Sequence, residues 1–166
     1  LRFENVYIYS KSLDQEKYKY LQEILTKIPG MGFYTFSSND EVIEPEQAKS
    51  NSIFIFDDVI CDDQNNIKKY FCMGRHKGVD CFYLAQTYTR IPKHLIRDNA
   101  NLIVLFKQDE TNCSVACDMK FDDFRNMCNK CWCEKYGFLV IDLDSELNNG
   151  RYRKGFDTFI HTYKRM

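Results

Sequence analysis

Two adjacent carboxylates, Asp57 and Asp58, end the apolar run Ile53-Phe54-Ile55-Phe56. Polar clusters close the run on both sides, Lys49-Ser50-Asn51-Ser52 before it and Cys61-Asp62-Asp63-Gln64-Asn65 after it. Short apolar runs of this kind form strands buried on both faces. Acids at the carboxyl end of such a strand stand where open α/β sheets bind ligands. An apolar strand ending in two acids is the pattern of a Walker B strand. There the first acid holds Mg2+ and the second prepares the attacking water. The same residues also suit a buried strand that ends in a polar turn, since Asp is a common turn former.

Further residues offer chemistry that such a site would use. Gln86 closes the next apolar segment, and an amide there can hydrogen-bond a γ-phosphate or the attacking water. It also suits a plain strand-to-loop exit. Arg97, in Ile96-Arg97-Asp98-Asn99, could reach a neighbouring subunit's nucleotide as an arginine finger, or pair with Asp98. Arg75 and Arg90 offer the same chemistry. Arg75-His76-Lys77 and Arg151-Tyr152-Arg153-Lys154 are short basic clusters. They suit DNA phosphates, with Tyr152 available to a sugar or base, or simply a solvated face. Cys113, Cys117, Cys128, Cys131 and Cys133 include one C-x-x-C but no second one at ligand spacing. Buried structural thiols therefore explain them better than zinc. His76, His94 and His161 are scattered and form no triad.

The elements that must position these groups follow from periodicity. Val6 to Ser10 reads as a strand. Leu13 to Ile28 reads as a helix stopped by Pro29-Gly30, with apolar or aromatic residues at 18, 21, 24, 25 and 28. Gly32 to Phe36 reads as a short strand or extended segment, and Ser37 to Asn51 as a loop with at most one helical turn. After the acidic strand, Asp62 to Met73 reads as a helix with Ile67, Tyr70 and Phe71 inward. Gly74 to Gly78 is a basic loop, and Val79 to Gln86 a strand. Pro92 opens a short helix through Arg97, and Asn101 to Lys107 is a fully buried strand. A helix from Phe121 to about Lys135 shows apolar residues at 121, 124, 128, 131 and 132, and its first turn carries Asp122 and Asp123. Phe138 to Asp144 is the last strong strand, and Arg151 to Ile160 reads as a final strand or a hairpin arm after Asn148-Asn149-Gly150. Strands alternating with helices predict an α/β fold with a mostly parallel sheet.

Composition sets the outer bounds. The chain has 166 residues, enough for one domain with a real core. Its net charge of −1 does not force a nucleic-acid partner, so DNA contact must come from local basic clusters. No apolar run approaches the roughly 18 residues of a membrane span, and no leader-like segment opens the chain. The reading is an intracellular chain without a membrane span, with its eight Cys reduced.

Several strings together resemble one family. Phe56-Asp57-Asp58 is followed by Gly74-Arg75-His76 and by Tyr83-Leu84-Ala85-Gln86-Thr87-Tyr88. Then come Ile91-Pro92-Lys93, Leu95-Ile96-Arg97-Asp98-Asn99-Ala100-Asn101, Asp118-Met119, Trp132 and Tyr136-Gly137-Phe138-Leu139-Val140-Ile141-Asp142. This resembles the poxvirus-type DNA-packaging ATPases of large DNA viruses, virophages and Polinton/Maverick elements, within the FtsK–HerA superfamily of P-loop motors. The resemblance runs from about Val6 to Phe159 and is densest from Gly74 to Asn101. It implies a RecA-like ATPase core that assembles as a homo-oligomeric ring and drives double-stranded DNA into a capsid. ATP and Mg2+ are the implied cofactors, DNA and capsid proteins the partners, and a viral assembly site or virion the location. By position, Asp57 would hold the Mg2+ shell through water. Asp58, where many relatives have Glu, would be the base for water, and Gln86 the sensor. Arg97 is the choice for the trans-acting finger, with Arg75 second. Arg75, Lys77, Arg151, Arg153 and Lys154 are the candidate DNA contacts.

One departure stands at the front. The chain contains no G-x-x-x-x-G-K-S/T string, and Gly30-Met31-Gly32 lacks both the Lys and a preceding strand. In the family, the P-loop strand and helix precede the strand expected at Val6 to Ser10. That P-loop strand sits between the Gln86 strand and the Leu102 to Phe106 strand. Without it both would carry unpaired edges, at about 1–3 kcal/mol for each buried polar group left unmet. The expectation is a marginal or aggregation-prone chain unless the gap closes by repacking. A non-catalytic, virus-derived scaffold that binds DNA or protein is the second reading.

Overall fold

The computed structural model describes residues 3–94, 97–108 and 119–160. The chain divides into two compact units, one made of Leu1–Gln86 with Arg90–Asn99, the other of Thr87–Thr89 with Ala100–Met166.

The first unit is a parallel sheet with helices on both faces. Its elements are β1 (Asn5–Ser10), α1 (Glu16–Thr26), β2 (Gly32–Phe36), β3 (Ser52–Asp57), α2 (Asn65–Met73) and β4 (Val79–Leu84). The strand order is β2-β1-β3-β4, and all three pairings are parallel. β1 and β3 lie inside, which is why both read as nearly unbroken apolar runs. Along β1 the side chains alternate between two layers. Val6 and Ile8 pack with Tyr18, Leu21 and Leu25 of α1. Tyr7 and Tyr9 join Phe54, Phe56, Ile67 and Tyr70 under α2. The second layer is built largely from rings, with Phe54 and Phe56 stacked at 4.3 Å and Tyr7 and Tyr34 at 4.7 Å.

The second unit is antiparallel. It contains β5 (Leu102–Phe106), α3 (Phe121–Cys131), β6 (Phe138–Asp142), β7 (Tyr152–Lys154) and β8 (Thr158–Phe159), with strand order β5-β6-β7-β8. One face of this sheet packs on α3, where Phe124, Met127, Cys128 and Cys131 meet Leu105, Leu139, Ile141 and Tyr152. The Trp132 indole N–H donates to the Leu105 carbonyl at 2.9 Å and ties the end of α3 to β5. Gly137, just before β6, is required by close approach. A Cβ there would lie 2.2 Å from the Cys131 carbonyl oxygen.

The mixed α/β expectation with a mostly parallel sheet holds for the first unit, and the second adds an antiparallel sheet. One local expectation is corrected. The Asn101 to Lys107 strand is not buried on both faces. β5 is an edge strand with α3 on one face only, so Leu105 is buried while Leu102, Val104 and Phe106 are exposed. β4 ends the other sheet in the same way, with Phe82 and Leu84 exposed. The expected helix from Pro92 through Arg97 falls partly on residues 95 and 96, which lie outside the described residues; the Arg97 N–H donates to the Pro92 carbonyl at 3.3 Å and the Asp98 N–H to that of Lys93 at 3.0 Å.

Candidate functional site on the carboxyl rim of the parallel sheet

Parallel pairing brings the carboxyl ends of β1, β3 and β4 level. Ser10 lies opposite Asp57, and Asp57 opposite Leu84. Asp57 is therefore the last residue of an inner strand, Asp58 the first beyond it, and exposed Gln86 lies two residues past β4 on the same rim. Asp58 has φ +55, the left-handed region that Asp enters more readily than most residues. Its backbone N–H donates to the Leu84 carbonyl at 3.2 Å. The chain thus turns sharply after Asp57 and stays tied to the end of β4.

Asp57 is held by α1. The Tyr18 hydroxyl and the Lys17 ammonium both donate to its Oδ2, the latter at 3.0 Å. Burial first, and then the hydrogen bond to Asp57, raise the Tyr18 pKa above the ordinary value. The Asp57 carboxylate likewise holds the Lys17 proton more tightly than usual. The arrangement is repeated next to it. Tyr9 donates to Asp62 Oδ2, and Lys11 Nζ lies 3.5 Å from the same oxygen. Gln64 then bridges the loop after β3. Its amide donates to the Val59 and Asp62 carbonyls at 2.7 and 2.9 Å and accepts from the Tyr83 hydroxyl at 3.0 Å. Burial pushes the Tyr83 pKa up to about 12. Lys17, Tyr18, Tyr9 and Lys11 carry no motif. The only sequence signal for Tyr18 is its inward position on α1, which predicts core packing and not its hydroxyl's reach to Asp57.

Of the candidate arginines, Arg90 ends a 3-10 turn (Tyr88–Arg90) shortly after Gln86, while Arg75 and Arg97 lie elsewhere in the first unit. Arg75, His76 and Lys77 form an exposed 3-10 turn between α2 and β4, at the amino end of β4. That is one strand length, about 20 Å, from Gln86. Gly78, with φ +69, ends this turn in the left-handed region. Arg97 begins a 3-10 turn whose Asn99 amide contacts the Cys72 sulfur at 3.9 Å, in the last turn of α2. Arg97 and Arg75 therefore share a side of the unit, apart from the carboxylates. Within one chain Asp57 and Asp58 stand level with the end of β4, two residues before Gln86, and Arg75 and Arg97 lie away from that rim.

In the second unit the cations proposed for DNA are engaged at home. Arg151 Nε donates to the Ser145 carbonyl at 3.0 Å. Arg153 donates to the Gly150 carbonyl at 3.0 Å, pairs with Asp142 and lies 5.4 Å from the Phe159 ring centre. Lys154 pairs with Glu134 at 2.6 Å, which raises the Lys pKa and lowers that of the Glu. Cys128 and Cys131 are buried in the α3 core and Cys133 is exposed, while Cys113, Cys117 and His161 lie outside the described residues. Among the described residues no three His, Cys, Asp or Glu side chains converge as metal ligands, and no helix is long and apolar enough to cross a membrane. Comparison with models of known protein families, with curated proteins and with solved structures found no match.

Proposed function

We propose that this chain is part of a RecA-like P-loop ATPase core, that of a poxvirus-type DNA-packaging motor of the FtsK–HerA superfamily. The observation that supports the reading is the position of Asp57 and Asp58 at the carboxyl end of β3, a strand paired on both sides, level with the end of β4 that precedes Gln86 by two residues. Ligands of open α/β sheets bind at that rim. Asp57 has one oxygen, Oδ2, taken by Lys17 and Tyr18, so Oδ1 is the atom suited to a water of a Mg2+ shell. Mg2+ bound with ATP supplies charge neutralisation on the phosphates. Asp58, exposed beside it, is the group to accept a proton from water, and Gln86 the group to hydrogen-bond that water or the terminal phosphate. Arg97, or Arg75 in its place, acts on a neighbouring subunit's site in a homo-oligomeric ring, which fits their distance from the acids of their own chain. Double-stranded DNA is the proposed substrate to be moved, capsid proteins the docking partners, and a viral assembly site the location. The reading also takes a P-loop strand as the neighbour of β4 and of β5. Each of those strands, taken alone, is an edge strand with apolar side chains in solvent, which supports it.

One observation favours the second reading, a non-catalytic scaffold derived from such an ATPase. Asp57 already has an ammonium partner in its own chain, Lys17. Turnover decides between the two. A chain extended by the residues encoded upstream is assayed for ATP hydrolysis with and without double-stranded DNA. The motor reading expects DNA-stimulated hydrolysis that falls by about 100-fold or more in Asp58→Asn. A folded extended chain that gives no hydrolysis leaves the scaffold.

A further inference from the structure

Tyr136 has φ +63, in the left-handed region where a bulky side chain is rare and glycine is the usual choice. It follows α3 in the turn Glu134-Lys135-Tyr136-Gly137, closed by the Gly137 N–H on the Glu134 carbonyl at 3.0 Å. The side chain is 78% exposed, more than any other large hydrophobic side chain among the described residues. A strained backbone that holds an aromatic ring in water adds nothing to the core, and strain of this kind gathers at functional sites. Tyr136 lines an open cleft of about 430 Å³ at the end of β5, together with Phe106, Lys107, Trp132 and Lys135. Clefts of that size take a small ligand or one unit of a longer one. The Trp132 indole is fixed by its bond to the Leu105 carbonyl, and the Lys135 ammonium lies 5.0 Å from the centre of the Tyr136 ring. Glu134, the one carboxylate of the lining, is paired with Lys154, which leaves the ammonium groups of Lys107 and Lys135 to set the charge. Aromatic rings run on from the cleft, Phe106 to Phe138 at 5.3 Å and Phe138 to the exposed Phe156 at 5.0 Å. Phe106 and Phe138 are paired across β5 and β6, on the sheet face opposite the Leu105 and Leu139 side chains that pack on α3.

Exposed rings beside ammonium groups are the parts of a surface that takes single-stranded nucleic acid, where bases stack on the rings and phosphates meet the cations. We propose that this cleft and the rings beyond it bind single-stranded nucleic acid. One unpaired base stacks on Tyr136, phosphates meet Lys107 and Lys135, and the following bases lie along Phe106, Phe138 and Phe156. An apolar peptide would use the rings and leave both ammonium groups without partners. A duplex keeps its bases stacked on one another and would leave the rings unused. The proposal concerns the turn after α3 and a sheet face, not the backbone edge of β5, and it does not rest on the ATPase reading.

The test is a titration of the full chain with an oligodeoxythymidylate of about eight nucleotides at low salt. Trp132, the chain's one tryptophan and a wall of the cleft, reports through its fluorescence. The expected result is a change in Trp132 emission, with binding that weakens as salt rises. A duplex of the same length should bind more weakly. Tyr136→Gly is the informative variant, because glycine takes φ +63 freely and the change removes the ring while relieving the backbone. It should keep or raise the urea midpoint and weaken oligonucleotide binding about five- to a hundredfold, the worth of one stacked base. Tyr136→Phe, which keeps the ring, should bind as the parent chain does. Tyr20→Ala, which removes an exposed ring from α1, should also leave binding unchanged. Lys107→Ala with Lys135→Ala should flatten the salt dependence. The proposal is overturned if the oligonucleotide leaves Trp132 unperturbed, or if Tyr136→Gly binds as tightly as the parent. It is also overturned if the duplex binds as tightly as the single strand, which would make the effect one of bulk charge. A lower urea midpoint in Tyr136→Gly would make the ring a packing group and overturn it too. Hydrolysis by the extended chain plays no part in these outcomes, so the motor reading and this proposal fail separately.

Discussion

A single hydroxyl fixes the acid on which the functional reading turns. Tyr18 sends its ring into the layer under α1 and its oxygen to Asp57. Tyr18→Phe keeps the ring and deletes only the donor, so it isolates that bond. A hydrogen bond to a charged group contributes about 1.5–3 kcal/mol, and Asp57 keeps Lys17 in the variant, which places the expected loss near 1–2 kcal/mol. Urea denaturation measures it through a lower midpoint at unchanged slope. Lys17→Met should cost less than about 1 kcal/mol, because a half-exposed ion pair is worth little. Equal losses in the two variants would count against a division between a fixed donor and a movable one. Asp58 shows a different kind of residue-scale control. Its left-handed backbone, tied to Leu84, ends β3 abruptly and leaves the carboxylate in solvent.

Among the elements of the first unit, several buried groups share one pH response. Cys81 and Tyr83 on β4, Tyr9 on β1 and Tyr70 on α2 all hold their protons more tightly in the folded chain, chiefly because burial disfavours the anion. For Cys81 the value is pushed from 9.0 up to about 12. A folded pKa above the unfolded one gives stability that is complete below the unfolded value and is lost as pH rises through the folded one. Each group then withdraws about 1.4 kcal/mol per pH unit over its window. The expected outcome is loss of the first unit between about pH 9 and 12, with tyrosinate absorbance at 295 nm rising together with the loss of far-ultraviolet circular dichroism. Complete tyrosine titration with the dichroism intact would contradict the packing of Tyr9, Tyr70 and Tyr83. The elements themselves were largely legible in the chain. The apolar run at Ile53–Phe56 announces an inner strand, and Ile67 and Tyr70 announce the buried face of α2. What could not be read is set by partners distant in sequence. The Leu102 to Phe106 run looks like an inner strand, yet α3 covers one face only. On the rim, Asp57, Asp58 and Gln86 were visible as acids and an amide at strand ends. Tyr18, Lys17, Tyr9 and Lys11 were not, because a hydroxyl on a buried ring carries no pattern that tells where its oxygen ends.

At the scale of the whole molecule, each unit ends, among the described residues, in a strand with one edge not paired and with exposed apolar side chains. Leu84 is 47% exposed on β4 and Phe106 50% exposed on β5. Such edges invite pairing with other chains, and lysine placed on them suppresses it. Two origins of the exposed edges make different predictions. If the edges are open in the working protein, Leu84→Lys with Val104→Lys should raise the concentration at which the chain stays monomeric, and lengthening the chain should do nothing. If they are the neighbours of a P-loop strand, the extension encoded upstream should suppress association without any lysine. The same two lysines should then lower the thermal midpoint of the extended chain, since they would meet an apolar partner. Analytical ultracentrifugation of the parent, the double variant and the extended chain, read with the midpoints, separates the cases. The packaging-motor reading requires the second. A parent chain that stays monodisperse at high concentration would remove the edges as an argument for it, leaving the rim residues as its sole structural support.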